Sequence, residues 1–402
     1  MLVNVVGLGY IGLPTALMLA ANGVRVVGTD YNKELVKKLS AGQISFEEDH
    51  LPELFEKALD AGIRFTDEYK SADFYIIAVP TPYSKSTRKI DPVYVVNAVK
   101  NVLDVCPDGS IIVIESTISP GTIDKCIRPL VGERSVRLAH APERIIPGNM
   151  VYELVHNSRT IGTDDPETGE LVRSVYASFC QGDIVLTDIK TAEMSKVVEN
   201  TFRDINIAYA NELSRICHEA GMDVYEVIRI ANRHPRVNIL NPGPGVGGHC
   251  ISVDPWFLVG DFPELTPLIH TARTTNDSQP EYILKLIREI MEKNGLKDIS
   301  RVGLYGLTYK ENVDDTRESP TLQLLEIMED HLSGGKMQVY DPYVKTDMVS
   351  NQHHDLNAFL NAVDMVVVMV GHNEILANAD ILKDKIVFDT RHVLIQEGIY
   401  HL

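Results

Sequence analysis

The sequence predicts an α/β protein: two doubly wound parallel-sheet domains joined by a helical middle domain with one long central helix. Three observations predict it. Near-continuous apolar runs alternate with helical patterns in the first part of the chain, as strands of a parallel sheet covered on both faces do. From about residue 190 the apolar period becomes helical and stays so for some thirty positions. At 300 the strand–helix alternation restarts and runs to the end. The expected boundaries are 1–188, 189–295 and 296–402.

The elements follow in order. Residues 2–7 (LVNVVG) read as a short buried strand, 12–22 as a helix ended by Gly23, and 24–30 (VRVVGTD) as a second strand. FYIIAVP at 74–80 and SIIVIEST at 110–117 read as two more. Residues 191–221 carry apolar side chains at helical spacing with no internal glycine or proline before Gly221, which predicts one long helix. A shorter helix is expected near 223–232, and 264–294 reads as helical again. Between them lies NPGPGVGGHC (241–250), whose composition suits neither a helix nor a central strand. SRVGLYGL, KMQVYDPY, AVDMVVVMVG and DKIVFDTR supply the strands of the second sheet.

With 402 residues the chain is long enough for two or three domains, and 44% hydrophobic content is ordinary for a globular protein. The net charge of −18 argues against nucleic acid as a partner, though a local basic pocket for a small anion remains compatible with it. No run is apolar over the length a membrane helix needs. The opening MLVNVVGLGYIGLP lacks a basic flank and a cleavage site, so it reads as a strand and its turn. Five widely separated cysteines suit reduced thiols in a cytoplasm. Four of them, Cys106, Cys126, Cys180 and Cys217, fall in stretches that read as packed structure; Cys250 does not.

Gly7, Gly9 and Gly12, with Tyr10 and Ile11 between the last two, make a G-x-G-x-x-G directly after a strand and at the opening of a helix. The first glycine permits the tight turn, the second lets backbone amides approach a pyrophosphate, and the third lets helix and strand pack closely. The helix N-terminus adds partial positive charge. Asp30 ends the second strand, where a carboxylate accepts hydrogen bonds from ribose hydroxyls and repels a 2′-phosphate. Together these predict a Rossmann-like site for NAD. Thr81 and Thr117 end the next strands, at positions that line a cofactor cleft or merely cap a turn.

Lys196, Asn200 and Arg203 share one stripe of the long helix. The stripe is either a solvated face, with Glu193 and Glu199 as ion-pair partners, or a clamp for an oxyanion in a cleft. HAPERIIPG (140–148) sets Glu143 and Arg144 between two prolines, as a surface charge or a base. NRHPRVN (232–238) gathers Arg233, His234 and Arg236 in an otherwise acidic chain, as an anion-binding cluster or solvated surface. The histidines lack metal-ligand spacing, so no metal is expected.

GLGYIGLP, VPTP, EST, APERIIPG, TAEMSKVVENTFRD, GPGVGGHCISVDP, GLTYKENVDDTRESP and DTR occur here in an order and spacing that resemble the UDP-glucose/GDP-mannose dehydrogenase family over essentially the whole chain. The resemblance implies an NAD-dependent, four-electron oxidation of a UDP-sugar at C6, and within the family NRHPRVNILNPGPGVGGHC followed by VDPWF looks most like enzymes acting on UDP-N-acetyl-D-mannosamine. It places the family's nucleophile on Cys250. It places the helix lysine and asparagine on Lys196 and Asn200, the loop glutamate on Glu143, the aspartate after the cysteine on Asp254, and the strand-end threonine on Thr117. Sugar-nucleotide contacts fall on Arg144, Ile145, Arg203, His234 and Arg236, and also on Gly247, Tyr309, Lys310 and Arg391. Arg317 is similar to the residue that reaches the cofactor. The resemblance further implies a homodimer built on the long helix, with higher assembly left open.

The residue types suit such chemistry. A second hydride leaves an aldehyde carbon only after a nucleophile has made it tetrahedral, and a cysteine thiolate both adds and leaves readily. Lysine and asparagine stabilise the oxyanions formed on addition, and lysine also accepts the first alcohol proton. Either Glu143 or Asp254, directly or through Thr117, activates the hydrolytic water. The same chemistry on UDP-N-acetylglucosamine or UDP-glucose is the alternative substrate reading. A two-electron hydroxyacid dehydrogenase needs neither Cys250 nor the second sheet, and a non-catalytic sugar-nucleotide sensor needs no complete set of Glu143, Lys196, Asn200, Cys250 and Asp254.

Overall fold

A computed structural model describes residues 1–84, 86–331 and 335–402. The chain divides into two compact units, Met1–Glu199 and Asn200–Leu402.

The first unit is built on an eight-stranded sheet. Its strands are β1 (Leu2–Val6), β2 (Arg25–Thr29), β3 (Arg64–Thr66), β4 (Phe74–Ile77), β5 (Ile111–Ile114), β6 (Arg137–His140), β7 (Arg159–Thr163) and β8 (Ile184–Thr187). Their order is β3-β2-β1-β4-β5-β6-β7-β8, so the chain reverses direction of winding between β1 and β4. Such a switch point opens a crevice at the strand C-termini. The sheet is not parallel throughout: β7 pairs antiparallel with β6 and carries β8 with it. Both faces are apolar, as the continuous runs require. Val3, Val5, Ile76 and Val113 enter one core, and the alternating Val6, Ile77, Ile112 and Ile114 enter the other.

The second unit begins within the long helix Ile189–Ala220 and continues through helices Val224–Ala231, Asp254–Asp261, Pro267–Asp277 and Gln279–Lys293. The helix Asp254–Asp261 was not expected; its eight residues follow the glycine run too closely to show a period of their own. A six-stranded parallel sheet follows. It comprises β9 (Val302–Tyr305), β10 (Gln338–Tyr340), β11 (Gln352–His353), β12 (Met365–Val368), β13 (Ile386–Asp389) and β14 (Tyr400–His401), in the order β11-β10-β9-β12-β13-β14. This repeats the winding of the first six strands of the other sheet. Val302, Leu304 and Val367 face one core, Tyr305, Val366 and Val368 the other. Among the described residues no helix is long and apolar enough to cross a membrane.

Candidate active site

In the first unit the turn after β1 has the geometry a dinucleotide needs. Gly7 takes φ 91°, and a Cβ there would lie 2.6 Å from the Ala78 carbonyl oxygen. A Cβ on Gly12 would lie 1.9 Å from the Gly7 carbonyl, so helix Gly12–Ala21 starts in contact with the turn. A Cβ on Gly9 would meet nothing within 4 Å. The one glycine with open space in front of it is the one expected to face the pyrophosphate, and these residues fit NAD. Asp30 is buried, with Oδ2 accepting from Leu8 N (2.8 Å) and Oδ1 from Asn32 N (2.8 Å). Each oxygen keeps a second lone pair for a ribose hydroxyl. Tyr10 and Ile11 are partly buried beside the turn, Thr81 is buried and Thr117 partly so.

Glu143 is buried at the end of β6's loop. Its Oε1 accepts from Arg144 N (2.6 Å) and Ile145 N (3.2 Å), and its Oε2 from Arg159 Nη2. Arg159 Nη1 reaches Glu115 Oε1 at 3.2 Å, and that oxygen also accepts from the Tyr176 hydroxyl at 3.1 Å. Burial pushes the Glu115 carboxyl up to about 7, against the pull of Arg159. This Glu115–Arg159–Glu143 arrangement escaped the sequence reading. Its signal was a charged residue ending or opening an apolar run, at Glu115 after IIVI and Arg159 before TIG. Arg144, expected at the sugar nucleotide, has its guanidinium on Glu199 (Nη2–Oε1 2.6 Å), Thr160 Oγ1 (2.9 Å) and the Ser158 carbonyl (2.6 Å). Ile145 is buried beside it.

The solvated-face reading of the long helix fails for two of its three residues: Lys196 and Asn200 are each 6% exposed, while Arg203 is exposed. Nor do the two glutamates serve that stripe. Glu193 accepts from the backbone N–H groups of Gly121 (2.5 Å) and Ile123 (2.9 Å), and Glu199 holds Arg144. Arg233, His234 and Arg236 are all exposed.

In the second unit the glycine run folds against the C-terminal segments. A Cβ on Gly247 would lie 2.6 Å from both the Glu318 carbonyl and Tyr309 Cβ. A Cβ on Gly248 would sit 2.8 Å from the Tyr309 ring, and one on Gly243 2.8 Å from Arg391 Nη1. Gly248 N also donates to the Arg317 carbonyl at 2.9 Å. The close approach these glycines permit is therefore to protein, and it draws Tyr309, Arg317 and Arg391 to the loop that ends in Cys250. The Tyr309 hydroxyl is pushed up to about 12, by burial first and then by the charges of Asp315 and Cys250. Arg317 clamps Asp315 through Nε (2.9 Å) and Nη2 (2.5 Å), and Lys310 is partly buried. Burial first, and then Arg317 nearby, lowers the pKa of His249.

Cys250 is exposed, whereas Cys106, Cys180 and Cys217 are buried and Cys126 partly so; none is in a disulfide. Its carbonyl accepts from Asp254 N at 2.9 Å, so thiol and carboxyl are joined by a single turn that opens helix Asp254–Asp261. Asp254 is 3% exposed, and its Oδ2 accepts from Asn200 Nδ2 at 2.6 Å. Asn200 thereby fixes the carboxylate nearest in sequence to the candidate nucleophile. Among the described residues no group of three or more His, Cys, Asp or Glu side chains is placed to hold a metal ion.

Three models of one protein family together match most of the chain. Residues 1–180 match the NAD binding domain of the UDP-glucose/GDP-mannose dehydrogenase family, 190–278 its central domain and 303–396 its UDP binding domain. A UDP-N-acetyl-D-mannosamine dehydrogenase of Methanocaldococcus jannaschii is 42% identical over 98% of this chain and 92% of its own. An NDP-N-acetyl-D-galactosaminuronic acid dehydrogenase of Ralstonia nicotianae is 40% identical over 97% of this chain and 95% of its own. The solved UDP-D-ManNAc dehydrogenase of Pyrococcus horikoshii superposes with a TM-score of 0.92 at 38% identity, covering 100% of this chain and 99% of that one.

Proposed function

The chain belongs to the UDP-glucose/GDP-mannose dehydrogenase family, and from that premise we propose that it oxidises C6 of UDP-N-acetyl-D-mannosamine to the carboxylate through a thioester on Cys250. It is an NAD-dependent oxidoreductase acting on a UDP-sugar, and NAD supplies the hydride acceptor for both oxidations. The three-part division into residues 1–188, 189–295 and 296–402 assigns NAD, the cysteine loop with the dimer helix, and the UDP moiety to successive domains. The N–H groups at Gly9 and the N-terminus of helix Gly12–Ala21 hold the pyrophosphate, and Asp30 holds the ribose.

Lys196 Nζ takes the proton of the C6 alcohol in the first oxidation. The Cys250 thiolate then adds to the aldehyde carbon, forming a C–S bond and a tetrahedral oxyanion. Lys196 and the second N–H of Asn200 stabilise that charge. Loss of hydride from this carbon gives the thioester. A water deprotonated by Glu143 or Asp254 adds to it, the C–S bond breaks, and the thiolate is restored with release of the carboxylate. Thr117 orients that water. Arg203, His234, Arg236, Gly247, Tyr309, Lys310 and Arg391, with Arg144 and Ile145, form the sugar-nucleotide contacts, and Arg317 approaches the cofactor.

One observation carries this reading: the chain's exposed thiol ends a glycine loop packed on protein, one turn from a buried carboxyl that Asn200 orients. Cys250→Ser is expected to abolish uronate formation while NAD affinity stays unchanged; uronate formed at the normal rate would sink the covalent route. The substrate is tested by a panel of UDP-N-acetylmannosamine, UDP-N-acetylglucosamine, UDP-N-acetylgalactosamine and UDP-glucose, reading two NADH per sugar. The galactosamine arm is motivated by the Ralstonia relative. The long helix supports a homodimer: Phe202, Tyr209 and Ile216 are spaced by sevens along it and are 64%, 51% and 52% exposed. Five reduced cysteines suit a cytoplasmic setting.

A further inference from the structure

The cysteine loop is held at both ends by one buried polar cluster. Upstream of the cysteine, the N–H of Gly243 donates to Asn211 Oδ1 at 2.9 Å. Asn211 Nδ2 donates to Asn276 Oδ1 at 2.9 Å, and Asn276 Nδ2 donates to the carboxyl (2.8 Å) and the carbonyl (3.0 Å) of Asp204. Arg273 Nη1 closes the cluster onto Asp204 Oδ1 at 2.5 Å and reaches the carbonyl of Ile251, the residue after Cys250, at 3.5 Å. Asp204, Asn211 and Arg273 are wholly buried, and Asn276 is 1% exposed.

The cluster has a single sense. One end is a backbone N–H, which can only donate, and the other is a carboxylate, which can only accept. Both amides must therefore point one way, and neither can flip without leaving a buried group unpaired. Its geometry also links it to the site already described. Asn200, Asp204 and Asn211 follow each other at helical spacing on the long helix, so one helix face fixes Asp254, the Arg273 side chain and the start of the loop.

Stability is a poor explanation for such a cluster. Among the described residues Asp204 Oδ2 and Arg273 Nε are buried without a hydrogen-bond partner. A buried ion pair left partly unsatisfied is no more stabilising than apolar packing of the same volume. What it does supply is one defined loop conformation.

We propose that Asp204, Asn211, Arg273 and Asn276 are positioning residues that set the direction and reach of the Cys250 thiol. The proposal rests on Cys250 as the nucleophile, and its test separates the two claims. Asn211→Leu removes the anchor on Gly243, and Arg273→Lys keeps a cation at Asp204 but withdraws the donor from Ile251. In the full-length enzyme each is expected to lower kcat roughly 10–100-fold, the effect of a small misplacement of a reacting group, with KM for the sugar nucleotide changed less than about threefold. The rate at which iodoacetamide alkylates Cys250 in the absence of substrate, located by mass spectrometry, is expected to change about threefold or more. That readout involves no turnover, so it reports thiol placement even if Cys250→Ser overturns the covalent route. Folded variants with a lower melting temperature but unchanged kcat and alkylation rate would show the cluster to be structural and overturn the proposal. Should Asn211→Leu fail to fold, the same measurements on Arg273→Lys decide.

Discussion

The turns that follow β1 and β9 begin alike and end differently. Both leave their strand through a glycine at positive φ, 91° at Gly7 and 104° at Gly306. Both glycines donate at 2.8 Å to the neighbouring strand, Gly7 to the Thr29 carbonyl and Gly306 to the Tyr340 carbonyl. The next N–H in each case goes to a buried aspartate, Leu8 to Asp30 and Leu307 to Asp341. Then they part. The first turn reads G-L-G-Y-I-G and enters its helix at Gly12; the second reads G-L-T-Y-K-E and does not enter one until Pro320. The second aspartate is also occupied by protein, since Asp341 accepts from Thr308 N (3.1 Å) and Tyr343 N (2.8 Å) and pairs with buried His372 (3.2 Å). One winding thus serves two ends. Two glycines and an immediate helix leave room for a pyrophosphate, and their replacement by Thr308, Glu311 and a longer loop yields a platform on which the cysteine loop packs.

The largest effect that would break this comparison is Gly12→Val. Its Cβ would stand 1.9 Å from the Gly7 carbonyl, so the turn must open or the helix shift. A cost of about 3 kcal/mol or more is expected, with loss of NAD binding in a fluorescence titration. Glu311→Val, at the matching place in the second turn, is expected to leave NAD affinity unchanged. Equal loss in both would mean that the second turn also holds the dinucleotide.

Asp341→Asn comes next. It turns an acceptor of several N–H groups into a group that presents a donor to some of them, at an expected cost of about 1–3 kcal/mol in denaturant unfolding. NAD affinity is expected to persist, because Asp341 organises only the second turn. A variant as stable as the parent would show that the buried aspartate is not what holds that loop.

How far the sequence discloses this depends on whether the signal is local. The strands β1, β2, β4 and β5 of one sheet and β9, β10, β12 and β13 of the other are legible because a buried strand is apolar along its length, whereas β3, β6, β7, β8, β11 and β14 are short or mixed in polarity and are not; the Gly7–Gly12 turn is legible because each glycine answers a separate steric demand. The antiparallel entry of β7 is not legible, since RTIGT carries no mark of its direction. The exposure of Cys250 follows from its glycine-rich setting, but the partners of that loop do not. Tyr309 and Glu318 lie about sixty and seventy residues away, and a sequence shows only that backbone must come close to something there. The Glu115–Arg159–Glu143 arrangement joins three separate segments, and no one segment states it.

The smallest effect contrasts the two sheets through their buried carboxyls, which respond to pH with opposite sign. Burial raises Asp341, but its bonds from His372 and from backbone N–H groups outweigh that and hold its pKa below the usual value. Its contribution to stability is therefore present above the unfolded carboxylate range and lost as the pH falls through the folded pKa. Glu115 is the reverse. Burial, opposed by Arg159, pushes it up to about 7 from 4.5. Folding then favours the protonated form, so its contribution is complete below about 4.5 and lost as the pH rises toward 7. Glu115→Gln keeps the shape and removes the titration. Relative to the parent, its stability is expected to improve between those pH values by on the order of 1 kcal/mol, after subtracting the weakened contact with Arg159. Asp341→Asn is expected to lose ground as the pH rises from acid. Thermal melts of both variants across pH 3–8 test this, and parallel curves for the two would mean that the two sheets bury their carboxyls in equivalent environments.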